Sequence, residues 1–256
     1  MSYKFSLKSA GYVLILLLVK ILSGSVGECA AREYRCQYTD IPPTIDGIIN
    51  EPCWQRAEKI QFYHIERGSK GRQTHPPAFS STTARLCWDK DYLYIVMEAT
   101  DKDLWATLTE HDAVLCREDC LEIFIKPKKD VKSYYEFEFS PKNVTWDLFY
   151  PSRGVAAWDR FWSSYESGLK SAAKVEGILN EWHDQDKGWT LEVGIPFSAF
   201  FEVVKPSPGD GDRWYFALCR YDYSVYLEDY ELSSSARLKE ANFHRYEDYD
   251  ILIFQK

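Results

Sequence analysis

Residues 83–99 read TARLCWDKDYLYIVMEA, two runs of apolar residues on either side of a short polar break. Every second side chain from Ala84 to Trp88 is apolar, and these side chains share one face because side chains alternate along an extended strand. The break, DKD, has turn residues, and a second apolar run begins at Tyr92. The segment therefore predicts an antiparallel β-hairpin.

The same alternation occurs along the rest of the chain, and aromatic residues, which favour strands, make up 16% of it. Helical patterns are confined to short pieces at 51–57 and 196–203. We therefore predict an all-β fold, a jelly-roll-like sandwich of two antiparallel sheets with short helical turns and half-buried strands. The other alternating segments are Leu121–Lys126, Tyr135–Phe139, Trp189–Ile195, Trp214–Leu218 and Ile251–Phe254.

The first 27 residues have the pattern of a secretory signal peptide. Lys4 and Lys8 precede an uninterrupted apolar run of residues 12–19, which is too short to span a membrane. Small residues follow near position 27. We expect residues 28–256 to form a single exported domain, extracellular or periplasmic, that begins between Glu28 and Arg32.

Charge and motifs exclude several classes of function. With 31 Lys and Arg against 39 Asp and Glu, the net charge of −8 argues against nucleic-acid binding. Nucleophile, phosphate-loop and zinc motifs are absent from the sequence. Acidic groups at Asp101/Asp103 and at 209–212 have ligands that Ca²⁺ prefers, but their spacing assigns no site, so no cofactor is expected.

Export would expose the cysteines to an oxidising compartment, where disulfides form. Cys116 and Cys120 flank a polar loop and are candidates for a bridge, whereas Cys87 and Cys219 lie in apolar runs and are expected to be buried thiols. The sequence alone does not determine the pairing.

Five short motifs occur in a characteristic order. They are Ile45-Asp46-Gly47 with Glu51, Trp54 and Ala57; Trp88-Asp89-x-x-Tyr92-Leu93-Tyr94; Asp119-x-x-Glu122-Ile123-Phe124; Gly188-Trp189-x-x-Glu192 with Ile195-Pro196; and Phe243-His244-Arg245 before Tyr249-Asp250-Ile251-Leu252. Their order and spacing resemble carbohydrate-binding module family 9 over nearly the whole mature chain. The resemblance implies a β-sandwich that binds oligo- or polysaccharides without catalysis, beside glycan-degrading enzymes.

The resemblance also implies a site in which a sugar ring lies between two Trp while a Glu holds its hydroxyls. Glu122 falls at the position of that Glu and Phe243 at the second Trp. Cys116 stands where the first Trp belongs, and Glu138 and Ser140 replace an Arg and an Asn of the family pattern.

Other residues must then complete the site. We expect a replacement aromatic wall from the loop residues Trp105 or Trp158, with Trp162 as a further candidate. Arg117, His244 and Arg245 are the expected polar partners.

Two other functions stay open at this point. One is a haem-binding electron-transfer sandwich, for which Met97 is the only available Met ligand, although its apolar strand favours core packing. The other is a structural or cell-surface module that has lost sugar binding. Four Trp residues lie within amphipathic patterns and are expected in the core: Trp54, Trp88, Trp189 and Trp214.

Overall fold

A computed structural model describes residues 31–69, 73–155, 165–203 and 207–256, and these residues contain thirteen strands. The predicted signal peptide lies outside them. There is also one short helix, α1 (Pro52–Arg56), and three 3-10 turns at 115–117, 197–199 and 246–248. The strands are β1 (Glu33–Tyr38), β2 (Ile60–Gln61), β3 (Tyr63–His64), β4 (Thr82–Trp88), β5 (Tyr92–Thr100), β6 (Cys120–Lys126), β7 (Tyr134–Phe139), β8 (Thr145–Tyr150), β9 (Lys170–Glu176), β10 (Gly188–Pro196), β11 (Arg213–Asp222), β12 (Glu231–Ser234) and β13 (Asp250–Gln255).

The predicted hairpin is present as β4 and β5, which pair antiparallel with Trp88 opposite Leu93. The Asp89 carboxylate closes the turn, because its Oδ1 accepts the backbone N–H groups of Asp91 and Tyr92 at 2.7 Å each. Its Oδ2 accepts the Tyr94 hydroxyl at 2.9 Å. A single side chain therefore fixes the turn that the sequence indicated.

The strands form a curled sheet in the order β8-β7-β6-β11-β13-β1-β4-β5-β10-β9. Its two halves face each other as a β-sandwich, as predicted. Most neighbours are antiparallel, but β1 runs parallel to both β13 and β4 and joins the two halves. Among the described residues, no helix is long and apolar enough to cross a membrane.

The main core lies between the two halves of the sheet. It contains Leu121 and Phe137 from one half and Ile95 and Leu191 from the other. All four Trp residues predicted to be core are buried, three of them in this cluster and Trp54 in a smaller one. Met97 is fully buried in the main core, as the packing interpretation of this residue predicted.

The prediction of half-buried strands is wrong for β6 and β7, because every residue of both strands is buried. The closing segment 241–249 covers the face that was expected to be solvated. Phe243 and Tyr249 from this segment pack against Phe124. The predicted helical pattern at 196–203 is also only a 3-10 turn, whereas the one at 51–57 is α1.

Glu192 connects two of the sequence motifs. Its buried carboxylate accepts the backbone N–H groups of Asp46 and Gly47 at 3.0 and 2.8 Å and the Trp54 indole N–H at 2.9 Å. Gly47 has a φ of +78°, and a Cβ there would lie 3.0 Å from the Cβ of Lys174. Three donors from residues 46–54 thus bind one carboxylate that lies 138 to 146 residues further along the chain.

The six cysteines of the described residues are free thiols. Cys116 and Cys120, the candidates for a bridge, are therefore not joined by one. Cys120 is fully buried beside Trp146 and Leu148 on β8, whereas Cys116 is partly exposed in the 3-10 turn that precedes β6. Cys87 and Cys219 are buried, as expected from their apolar runs.

Candidate functional site

A cavity of about 490 Å³ lies against the outer face of β6, β7, β8 and β11. The closing segment forms part of its wall through residues 241–244, and residues 153–155 form another part. The lining is strongly aromatic and acidic. It includes Phe124, Tyr134, Trp146, Tyr150, Tyr221 and Phe243, together with Glu122, Glu136 and Glu138.

Strand pairing brings the three glutamates together. Glu122 on β6 lies directly opposite Glu138 on β7, and Glu136 is two residues along the same face of β7. All three side chains are buried, and Glu122 is only 2% exposed. The Oε2 atom of each has no hydrogen-bond partner in the described part of the chain.

Burial in this cavity disfavours the ionised carboxylates. Burial, and then the neighbouring carboxylates of Glu138 and Glu136, hold the pKa of Glu122 well above its ordinary value. Burial, and then Glu136, also hold the pKa of Glu138 well above its ordinary value. Burial raises the pKa of Glu136 to about 8. The cavity therefore presents oxygen atoms that gain from any positively charged or proton-donating occupant.

The aromatic side chains pack against each other and form a rigid wall. Tyr134 and Tyr150 are stacked, with ring centroids 4.8 Å apart and an interplanar angle of 2°. Phe243 contacts Phe124 and Tyr221 at centroid distances of 6.3 and 5.3 Å. Such offset and edge contacts stabilise aromatic clusters beyond the area they bury.

The basic residues beside the cavity are already engaged. Arg153 forms an ion pair with Glu247, donates to the His244 carbonyl at 2.9 Å and lies 4.3 Å from the Tyr246 ring centroid. The His244 Nδ1 lies 3.0 Å from the Tyr134 hydroxyl. Burial, and then Arg153, lower the pKa of His244 to about 4, so this imidazole is neutral near neutral pH.

The structure brings together three of the residues expected at the site, since Glu122, Phe243 and His244 all line this cavity. Cys116, which replaces a Trp of the family pattern, lines it as well. Ser140 is buried, and its hydroxyl accepts the Val144 N–H at 3.2 Å in the turn between β7 and β8.

The other predicted site residues lie elsewhere. Trp105, 41% exposed, and Arg117 line a separate groove with Tyr223 and Val225. Arg245 forms ion pairs with two acidic neighbours, Glu240 and Asp248, and does not line the cavity. Trp158 and Trp162 are outside the described residues.

Sequence reasoning missed much of the aromatic wall. The segment 134–139 reads YYEFEF, and its alternation places Tyr134, Glu136 and Glu138 on one face. The sequence therefore shows that these side chains share a face, but the two Glu residues made that face look exposed to solvent. Trp146 and Tyr150 share a face of β8 in the same way and were not singled out.

Several acidic groups have the donors to hold a cation. One oxygen each from Glu122 and Glu138 and the Cys120 sulfur lie within 4.8 Å of one another. Asp101 instead forms an ion pair with Arg220 at 2.7 Å, and Asp103 accepts hydrogen bonds from the segment at 224–225. In the turn at 209–212, Asp212 accepts the Gly209 backbone N–H and Asp210 accepts the backbone N–H of Lys256. Neither of the latter positions is assigned as a Ca²⁺ site, and the expectation of no cofactor stays a prediction.

Comparison with known families agrees with the motifs. The model of the carbohydrate family 9 binding domain-like family matches residues 45–243. The chain is 26% identical over 157 residues to the exoglucanase XynX of Acetivibrio thermocellus, and 24% identical over 168 residues to endo-1,4-beta-xylanase A of Thermoanaerobacterium saccharolyticum. These matches cover 61% and 65% of this chain but only 12% of each enzyme.

Solved structures show the same fold. A family 9 carbohydrate-binding module from Caldicellulosiruptor kristjanssonii, in complex with cellotriose, has a TM-score of 0.58 at 14% identity and covers 88% of this chain and 94% of its own. The module from the same organism in complex with glucose has a TM-score of 0.55 at 14% identity and covers 88% and 96%.

Proposed function

This chain belongs to the carbohydrate family 9 binding domain-like family, and from that premise we propose that it is a secreted, non-catalytic protein that binds an oligo- or polysaccharide in the cavity beneath segment 241–249. Neither nucleic acid nor a membrane is an expected partner. The role we propose is recognition of a glycan during its breakdown by other enzymes.

The observation that carries this proposal is the combination of aromatic walls and unpartnered polar atoms in one cavity. Aromatic faces pack against the C–H patches of a sugar ring, while buried polar groups orient its hydroxyls. Glu122 and Phe243 line the cavity, and both fall where the family resemblance implies ligand contacts. The volume of about 490 Å³ lies within the range of small-molecule sites, roughly 300 to 1,000 Å³.

The matched enzymes support a role beside glycan degradation. Both carry names of glycan-hydrolysing enzymes, and the part that resembles this chain is a small fraction of each. A binding domain of that kind has no need of its own hydrolytic residues. The pattern of residues 1–27 supports export.

A glycan array of the purified protein tests the binding proposal, with Glu122→Gln as the matched variant. We expect one class of glycans to bind the wild-type protein and to bind the variant about tenfold more weakly. If no glycan on the array binds the wild-type protein, the result would favour a structural or interaction module. An absorption spectrum with a Soret band would favour the haem-binding alternative.

Hydrolysis is tested separately. The purified protein should release no reducing sugar from the glycans that it binds. Release that disappears in a Glu122→Gln or Glu138→Gln variant would show that the cavity is catalytic instead.

Export is tested by terminal sequencing of the protein from the medium or periplasm. The expected first residue lies between Glu28 and Arg32. An intact Met1 in secreted material would contradict the prediction of a cleaved signal peptide.

A further inference from the structure

We infer that the occupant of the cavity carries a positive charge, and that it is an amino sugar with a free ammonium group. This inference rests on the proposed function, because it names the class of saccharide that the same cavity selects.

Among the described residues, the cavity is lined by three acids and by no cation that is free to pair with them. Glu122, Glu136 and Glu138 contribute the carboxyl groups, and no Lys lines the cavity among the described residues. Arg153 is committed to Glu247, and the neutral His244 adds no charge. Carboxyl groups buried this way are expensive to ionise unless a cation accompanies them.

The remaining polar groups in the wall do not supply a cation either. Burial raises the pKa of the Cys116 thiol to about 12 and holds the phenol pKa values of Tyr134, Tyr150 and Tyr221 above their ordinary range. These groups are therefore neutral near neutral pH. Asn242 completes the polar lining and is uncharged.

Another buried acidic cluster shows how the protein neutralises acids when no ligand is needed. Asp101, Asp119 and Asp222 are as buried as the glutamates, but the Arg220 guanidinium lies among them. It is 2.7 Å from Asp101 and 3.1 Å from Asp222. Among the described residues, the three glutamates have no such cation beside them, and a cationic ligand would supply it.

A second, independent observation comes from Trp146. Its side chain is 7% exposed, it lines the cavity, and its indole N–H has no acceptor in the described residues. A bare metal ion offers nothing to an N–H donor, whereas a sugar hydroxyl oxygen accepts from it. The occupant therefore needs both donors for the carboxylates and acceptors for the indole.

The aromatic wall fits the same ligand. Rings such as Tyr134, Tyr150 and Phe243 attract an ammonium group through their π faces and also contact the apolar face of a sugar ring. An amino sugar supplies the cation, the hydroxyl groups and the apolar face in one molecule. A neutral sugar supplies only the last two, so it can hydrogen-bond to the carboxyl groups but leaves their charge unbalanced when they ionise.

Titration calorimetry with D-glucosamine, D-glucose and N-acetyl-D-glucosamine tests this inference. The three sugars share one skeleton, and only glucosamine is positively charged. We expect glucosamine to bind at least about tenfold more tightly than either neutral sugar near neutral pH. The preference should fall when salt is raised, and it should extend to the glucosamine disaccharide over cellobiose.

The Glu138→Gln variant should lose most of this preference, because it removes one carboxylate while preserving the shape of the side chain. The matched control is Glu176→Gln, which makes the same change of charge at an exposed position on β9. It should keep the preference. Thermal unfolding of both variants checks that the fold is intact.

The outcomes separate this inference from the proposed function. Equal or tighter binding of the neutral sugars, still weakened by Glu138→Gln, would overturn the inference and leave saccharide binding in place. Binding of none of these sugars or their disaccharides would overturn the inference, and an empty glycan array would overturn the proposed function as well. Binding of CaCl₂ that depends on Glu138 and competes with glucosamine would also overturn the inference, since the cation would then be a metal.

Discussion

Two buried acidic clusters among the described residues contact opposite faces of strand β11. Arg220 shares the inner face of β11 with Leu218 and is surrounded by Asp101 and Asp222. Tyr221, the next residue, points to the other face and lines the cavity with Glu122. The first cluster contains its own counter-charge and stabilises the fold. The second contains no free cation among the described residues, and this difference marks the proposed binding site.

Glu192 provides a third case, intermediate between the two. It is as buried as Glu122, and burial raises its pKa, but three hydrogen-bond donors from Asp46, Gly47 and Trp54 oppose that shift. The lesson is that burial of a carboxylate does not identify a functional group. A buried carboxyl group marks a candidate site when it keeps an oxygen without a partner and no free cation lies beside it among the described residues, as at Glu122, Glu136 and Glu138.

The largest expected effect is a loss of stability when the cation of the compensated cluster is removed. Arg220→Met leaves the buried acids without their cation and should lower the free energy of unfolding by about 3 to 5 kcal/mol. Urea denaturation measures this loss. Arg213→Met is the control on the same strand, because its ion pair with Glu33 is exposed and should contribute less than about 1 kcal/mol. Equal losses in the two variants would contradict the comparison.

The next largest effect is a dependence of the free energy of unfolding on pH. It comes from Glu136 in the uncompensated cluster. The pKa of Glu136 is about 8 in the folded protein, above the ordinary carboxyl value, so the folded state holds the proton more tightly than the unfolded state. Its contribution to stability is therefore full below about pH 4.5 and is lost as the pH rises through about 8.

Glu136→Gln removes this penalty at high pH. The stability of the variant relative to wild type should increase between about pH 5 and about pH 8, by roughly 1 to 3 kcal/mol at about 1.4 kcal/mol per pKa unit. Urea denaturation at the two pH values measures the change, with Glu176→Gln as the exposed control. A relative stability that is the same at both pH values would contradict the prediction.

A smaller change in free energy is expected for ligand affinity when the side chains of the cavity are changed. Glu122→Gln and Phe243→Leu should each weaken the affinity for the glycan identified on the array by about tenfold, or about 1.4 kcal/mol. Phe243→Ala is a poorer choice, because this ring packs against Phe124 and Tyr221 and its deletion would also destabilise the fold. Full affinity in both variants would place the site elsewhere.

The smallest effect distinguishes two tryptophans. Trp146→Phe removes one hydrogen-bond donor from the cavity and should cost about 0.5 to 1.5 kcal/mol of binding free energy, together with much of the fluorescence change on binding. Trp105→Phe should leave affinity within about twofold, because Trp105 lines a different groove. The reverse result would restore Trp105 as a wall of the sugar site.

The sequence by itself predicted seven of the thirteen strands of the described residues and the family. The alternation in residues 83–99 predicts the β4–β5 hairpin, and the motifs around Asp46, Trp54 and Glu192 meet in one hydrogen-bonded group. The family resemblance also predicted that Glu122 and Phe243 lie together, and both line one cavity. These features are accessible because alternation is a property of the local backbone and because motif spacing reflects the fold.

Only the tertiary structure decided what covers the outer face of β6 and β7. The alternation of side chains along β6 predicts that Glu122 and Phe124 share a face, but it does not predict whether that face is exposed to solvent. The answer depends on segment 241–249, more than 100 residues further along the chain, which folds back over these strands and buries them. A carboxylate under such a cover loses its solvent and needs a partner, and a local pattern cannot show whether the distant segment brings one.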